Sequence, residues 1–456
     1  MLRCFGASVA TLPGTALGQT IDIHVNANHV GPEDGLSWAT PYTDFQMALN
    51  SSFTGAVIAV ATGTYKPSTG TTRSDTFVIG DEIKVYGGFS GDGTEFVVSD
   101  RAGLFSQTIL SGDLGQGINS YHVVTINDVK VTVNALTVLD GFKIQGGSAD
   151  HPTSLVDRLG GGILSMAAGA EVRNCTFRGN HAADGGGGMC VIDDTNPNSI
   201  NTSSAVRLAE SRFESNTTDG SGGGLMLQNL SGGAQVVHNC TFLLNEADSG
   251  SGGGIFIDDN RNSDVLEVLN CSIYDNSAMT GGGISLARDT YVTVENCTIA
   301  FNTTTGNGGG VAFSGDTSTN GTLQSCIITR NTSPGLFQVA PTGGSAPSNT
   351  VSYCNVQDSV PAGIGNISAL AKFQSPANRD FHLKATSPCL DTGVPVFGGT
   401  GVPTDTFDLD GNTNFTEIVP VDLDSQTRVS ISSTTSGAPL RIDMGAFERI
   451  PEVAGQ

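Results

Sequence analysis

The stretch NCSIYDNSAMTGGGI, residues 270–284, sets Cys271 and Ile273 two residues apart, then a single Asn, then a glycine run that feeds Ile284. The pattern recurs. Copies read NCTFRGN (174–180), ESRFESN (210–216), NCTFLLN (239–245), NCSIYDN (270–276), NCTIAFN (296–302) and SCIITRN (325–331). Their terminal Asn falls at 180, 216, 245, 276, 302 and 331, and glycine runs at 160–162, 185–188, 222–224, 252–254, 281–283 and 308–310 keep the same beat. A period of 26 to 36 residues is that of a solenoid.

Each unit holds three apolar pairs spaced by two. One follows the glycines (Ile255 and Ile257), one precedes the Cys position (Leu266 and Val268, Val292 and Val294), and the third is the Cys pair itself (Cys240 and Phe242, Cys297 and Ile299). Spacing of two puts both members on one side of a strand. Three such strands per unit, with no helical periodicity between them, predict a three-sided coil. Stacked coils, about 4.8 Å apart, then bury like over like. The expected fold is an all-β parallel β-helix. The Cys column reads as an interior ladder of small apolar side chains. Ser211 in that column, and no His at ligand spacing, count against a metal. The Asn after each third strand is expected in a turn, tolerating left-handed backbone and bonding the next coil. The glycines serve a bend where side chains would crowd. The NCT and NCS matches to a glycosylation acceptor fall in that bend and read as accidental.

Composition bounds the rest. The chain has 456 residues, 61 glycines and a net charge of −23, an acidity that argues against nucleic acid as a partner. No apolar run approaches the ~18 residues needed to span a bilayer. Residues 1–18 resemble a secretory signal, with Arg3, a short apolar middle and Ala16-x-Gly18. The nine cysteines are odd in number and dispersed, so the repeat explains them better than a disulfide framework does.

At the repeats, residues 160–331, the chain resembles the chlamydial polymorphic outer-membrane proteins: GGGI, GGGL and GGGV stand for their GGA[ILV], and FRGN, FESN and FLLN for their FxxN. A wider resemblance is to secreted bacterial β-helix proteins of the pectin-lyase-like superfamily with a choice-of-anchor C-terminal region. It rests on the blocks IHVNANHVGPEDGLSWATPYTDFQMALN with VIAVATGTYKP, then IKVYGGFSG and TILSGD, and the closing DFHLKATSPCLDTG, DLDGN and RIDMGAFE. This resemblance implies a right-handed single-stranded β-helix. Its expected parts are a signal over 1–18, an N-terminal cap with a short helix over 19–54, the solenoid over 55–372 and a C-terminal cap region over 373–456. Phe45, Ala48 and Leu49 are expected inward on the helix.

Candidate chemistry lies in the loops after the glycine-led strands: Asp193 and Asp194, Asp258 and Asp259, Arg261, Arg288, Asp289 and Asp316. Equivalent carboxylates of neighbouring coils would lie about 5 Å apart, which suits Ca²⁺. A Ca²⁺-dependent polyuronate lyase would hold the ion on these Asp residues, with Arg288 or Arg261 taking the C5 proton. The plainer reading is of exposed turn residues in ordinary Asp–Arg pairs, each worth little. No Lys occurs between Lys143 and Lys372, which removes the other usual cation of such sites. For a glycosidase of the polygalacturonase type, DD is present but GHG is missing. Asp408, Asp410 and Asn412 in DLDGN alternate as in Ca²⁺ loops, though the completing bidentate acid is absent and an Asp/Asn-rich turn accounts for them. The histidines form no ligand motif, and His238 reads as an exposed bend residue.

The expectation is therefore a monomeric secreted or cell-surface protein. Its expected role is non-catalytic: carbohydrate or surface binding, adhesion, or envelope structure. The alternative is a polysaccharide-active enzyme, a lyase before a hydrolase. No cofactor is required, Ca²⁺ is left open, and the expected partner is an extracellular polysaccharide or cell-surface component. No nucleic acid and no transmembrane segment enter this reading.

Overall fold

The structure, a computed structural model, describes residues 18–127, 137–166, 169–193, 206–230, 235–258, 266–288, 290–313, 320–334, 338–341, 350–358, 360–396, 422–424 and 440–448. Among these, strands of successive coils pair in parallel into an 11-stranded, a 10-stranded and a 9-stranded sheet, giving the three expected walls. Leu266–Leu269 lies in the first, Ser272–Tyr274 in the second and Ile255–Asp258 in the third, the glycine-led sheet. A fourth, six-stranded sheet was not anticipated; it holds strands such as Ser277–Thr280 and Thr303–Thr304. Several of its strands are only two residues long, too short for an apolar period to register. The coil is thus three-walled with a narrow bevel between the second sheet and the glycines.

Register follows chemistry. Phe177, Phe213 and Phe242 stand over Ile273, Ile299 and Ile328 in the second sheet. The three phenyl rings stack with centroids 4.3 and 4.7 Å apart, and each buried ring contributes roughly 1.5–3 kcal/mol. Beside them Cys175, Cys240, Cys271, Cys297, Cys326 and Cys354 are buried free thiols. The column is stitched by weak bonds: the Cys271 N–H donates to Cys297 Sγ at 3.4 Å, and the Cys175 N–H to Ser211 Oγ at 3.2 Å.

The terminal Asn residues form a continuous ladder. Nδ2 of Asn180, Asn216, Asn245, Asn276 and Asn302 donates to Oδ1 of the next rung at 2.9–3.0 Å, and Asn331 ends it on Gln338 Oε1 at 2.9 Å. The left-handed backbone, however, belongs to other residues. It falls on the residue just before each rung (Asp275, φ 56°) and on the residue before each position of the Cys column (Asn270, φ 53°). The ladder Asn was expected to adopt it and does not. Its amide is committed to the coils above and below, whereas the Asn before Cys relieves the turn. Asn270 and Asn296 are fully buried, consistent with reading their glycosylation pattern as accidental.

The glycine runs divide their work. Gly281 has φ +62°, a left-handed conformation in which a Cβ is penalised. A Cβ on Gly283 would lie 2.7 Å from the Gly310 carbonyl oxygen of the next coil, so close stacking of backbone requires its absence.

At the N-terminal end, the helix Phe45–Ser51 is capped by the Asp44 carboxylate, which accepts from the N–H groups of Gln46 and Met47. Phe45, Ala48 and Leu49 are buried, as expected, with Phe45 packed 5.0 Å from the Phe77 ring. Trp38 anchors the entry segment through an Nε1–H bond to the Glu95 carbonyl at 2.7 Å. The early coils are pinned on the outer side of the 11-stranded sheet by a buried ionic knot. Asp140, fully buried, takes both terminal nitrogens of Arg101 at 2.9 and 3.0 Å and Nε of Arg173 at 2.7 Å. Burial opposes its charge, but the two guanidiniums hold its carboxyl below the usual range. His238 departs from expectation: it is 1% exposed, inside Gln235–His238 of that sheet rather than at an exposed bend.

C-terminal residues lie along the side of the solenoid. Arg379 forks onto Asp275 with two 2.6 Å bonds, Phe381 packs on Tyr274 and Phe301, and the Ala446 N–H donates to Thr298 Oγ1 at 3.0 Å. Among the described residues no helix is long and apolar enough to cross a membrane.

Candidate functional site

The glycine-led sheet has an unusual outer face. In Ile255–Asp258, alternation sends Ile255 and Ile257 into the core and Phe256 and Asp258 outward. Outward residues are normally polar, yet Leu164, Cys190, Ile192, Met226, Phe256 and Ala287 form a second buried apolar cluster there. Over it opens a cleft of about 560 Å³, floored by Leu159, Met166, Ile192 and Met226 and edged by Asp184, Asp193 and Gln228. That size suits a small ligand or a few units of a polymer.

The edge charges are largely engaged. Arg158 binds Asp184 through Nε and Nη2 at 2.8 and 2.7 Å. Two coils beyond Asp184 stands Asp258, to which Arg288 reaches back with Nη2 at 2.8 Å and Nε at 3.3 Å, and Gln228 Nε2 adds a 3.3 Å bond to the same carboxylate. Asp258 is 5% exposed at its side chain, whereas Arg288 is 64% exposed. Two of the candidate residues, Asp258 and Arg288, are thus paired, and Asp258 is a strand-end residue beneath its arginine. Asp193 is also buried. Asp194, Asp259, Arg261, Asp289 and Asp316 lie outside the described residues, as do Asp408, Asp410 and Asn412.

Among the described residues, no three His, Cys, Asp or Glu side chains group as a metal centre. The site as described offers an apolar floor with a hydrogen-bonding rim. Sequence reasoning missed the floor, because outward Met and Ile look like core when read by period alone. It also missed the Arg158–Asp184 pair, whose arginine sits outside the repeat in the Val156–Arg158 turn.

Comparison places this architecture among known proteins. The family described as "Right handed beta helix region" matches residues 91–299 and 199–374, more than half of the chain. No curated protein matches it. Among solved structures, the crystal structure of pectate lyase Pel9A is similar, with a TM-score of 0.51 over 97% of this chain and 100% of that one, at 12% identity. At that identity the likeness carries the fold alone. With its parallel coils, inward pairs and matched residues, the chain belongs to the right-handed β-helix region family.

Proposed function

We propose that the protein is a secreted or surface-displayed monomer that holds an extracellular carbohydrate chain over the outer face of the glycine-led sheet without cleaving it. The observation that carries this reading is the cleft over Met166, Ile192 and Met226, whose edge carboxylate Asp184 is already closed by Arg158 and whose edge residue Gln228 is bonded to the Arg288-bound Asp258. An apolar floor suits the C–H faces of a sugar ring, and the rim suits its hydroxyls. A net charge of −23 repels polyuronates and favours neutral polymers. The test is incubation with neutral and acidic polysaccharides, with and without Ca²⁺, followed by mass spectrometry of released fragments and affinity electrophoresis of the protein. Retention by one polymer without release supports binding.

A second reading is a Ca²⁺-dependent polyuronate lyase, drawing on the likeness to a pectate lyase and on Asp259, Arg261 and Asp289, which neighbour Asp258 and Arg288 in sequence. Unsaturated products that require Ca²⁺ would establish it and displace the binding role. The DLDGN loop is proposed as a structural Ca²⁺ site through Asp408, Asp410 and Asn412. If it is one, Ca²⁺ raises the thermal midpoint, because a ligand of the folded state stabilises it, and Asp410→Asn removes the rise. An unchanged midpoint reduces the loop to a turn.

A further inference from the structure

One coil carries an acid where the others carry Asn, Ser or Tyr. At the position before Cys, where Asn174, Asn239, Asn270 and Asn296 stand, it has Glu210, and Ser211 takes the place of the Cys. Glu210 keeps the left-handed backbone of its column mates, φ 49°. Asn accepts that conformation at low cost and Glu does not, so the local fold alone gives no reason for Glu.

Glu210 borders an open cleft of about 440 Å³ on a different side of the molecule from the apolar groove. Asn239 and Thr241 of the next coil continue its wall, and Leu423, Asp424 and Phe447 of the C-terminal segment form the other. Two groups in it are uncommitted. The Glu210 carboxyl has no hydrogen bond or ion pair among the described residues. Asn239 is 7% exposed, and its Oδ1 has no partner. Leaving a buried acceptor unmet is costly; Asn296 of the same column shares the feature, but Asn239 is the one of the two whose residue lines this cleft. The remaining charges are spoken for. Arg212 binds Glu214 at 3.1 Å, and Asp424 receives His382 Nε2 at 2.5 Å while His382 Nδ1 faces Asp380 at 2.6 Å. Asp140 and Arg173 of the first sheet and Arg101, just after the Val98–Asp100 turn, face Glu210, and Glu171, 2.9 Å from Arg173, sets a second carboxylate against the two guanidiniums.

We propose that this cleft binds a primary ammonium group, which donates to the Glu210 carboxylate and to Asn239 Oδ1 against the Phe447 ring. A neutral polyol would also bring donors but would leave the carboxylate uncompensated, whereas an ammonium meets both needs and gains from an aromatic wall. Burial pushes the Glu210 carboxyl up to about 7, Asp140 adding to the rise and Arg173 and Arg101 opposing it. A bound cation reverses that shift, so binding near neutrality expels a proton.

The test is calorimetric titration of the full chain with three probes: Nα-acetyl-lysine methylamide, glucosamine and N-acetylglucosamine. The first two share the ammonium, and the tighter of them identifies an amino-acid or an amino-sugar source. The expected results are saturable binding of at least one of them and none of N-acetylglucosamine. Lysine-derivative affinity should also fall at least tenfold between about pH 8 and about pH 5, as Glu210 takes up its proton. Glu210→Asn restores the residue used by the neighbouring coils, so it folds, and it should lose binding at least tenfold; Asn239→Ala should weaken it. Equal binding of N-acetylglucosamine, retained binding in Glu210→Asn, or no saturable binding of either ammonium probe would overturn the proposal.

Discussion

Nδ2 of Asn245 donates to Oδ1 of Asn276 at 2.9 Å, and the Asn245 backbone N–H donates to the same oxygen at 3.0 Å. One side chain thus satisfies two donors of the coil before it, while its own amide reaches the Phe242 carbonyl and Asn302. Asn276→Ala orphans all of these in a dry interior. The expected cost is about 2–4 kcal/mol, read as a lower urea midpoint at unchanged slope.

Two groups should each stabilise the fold less as pH rises. Glu210 has its folded value lifted from 4.5 to about 7 by burial, so the folded state holds the proton more tightly and loses that advantage between those values. The loss is on the order of 1–3 kcal/mol. His382 acts in the same sense at higher pH. Burial disfavours its charge, yet Asp424 and Asp380 raise it above 6.5. Its contribution is complete below its ordinary value and disappears as pH passes through the raised one. Glu210→Gln should flatten the lower part of the curve while leaving the His382 part. Buried His24, held below 6.5, acts in the opposite sense over the same range, so the sign is read by difference: a gap between wild type and Glu210→Gln that does not shrink between about pH 5 and pH 8 would contradict the Glu210 assignment.

Eight described cysteines are buried free thiols, and burial pushes those of Cys175 and Cys190 up to about 12. A thiol reagent should leave them untouched in the native protein and modify them on unfolding. Reductant should not move the thermal midpoint. Because Ser211 already occupies one rung of the column, Cys271→Ser should cost no more than about 1–2 kcal/mol. Cys271→Leu, which overpacks a full column, should cost more.

At the groove, Arg288→Ala strips the guanidinium from a nearly buried Asp258 and should lower stability by about 1–3 kcal/mol. Polymer retention should stay within about twofold, as expected of a contact beyond the floor. Met166→Asp places a charge on the floor and should weaken retention at least tenfold (about 1.4 kcal/mol). The reverse ranking would move the site towards the Asp258–Arg288 loops.

How far the sequence could be read follows from range. Asp258 and Arg288 are 30 residues apart, one coil period, so the repeat itself brings them together. So too with the inward pairs, whose period-two signal is local. By contrast, Arg379 meets Asp275 across 104 residues and Ala446 meets Thr298 across 148. Neither distance is a period, and no pattern announces that the C-terminal segment returns along the solenoid to wall a cleft. The short fourth strand and the buried His238 were lost for another reason: two residues show no alternation, and a polar residue inside a strand looks the same in sequence whether covered or not. Glu210 was legible as a broken repeat, but its meaning came from what lies across from it.

The Asn rungs are 36, 29, 31, 26 and 29 residues apart in sequence, yet each makes the same bond to its neighbour. Every rung gives what it takes. Recombination that duplicates or deletes one whole coil between Asn180 and Asn331 therefore leaves no amide stranded, whereas gaining or losing half a coil strands several. Gln338, which closes the ladder only seven residues after Asn331, is the exception. Lineages that lengthen or shorten this molecule should do so in integral coils and should keep that closing residue in place.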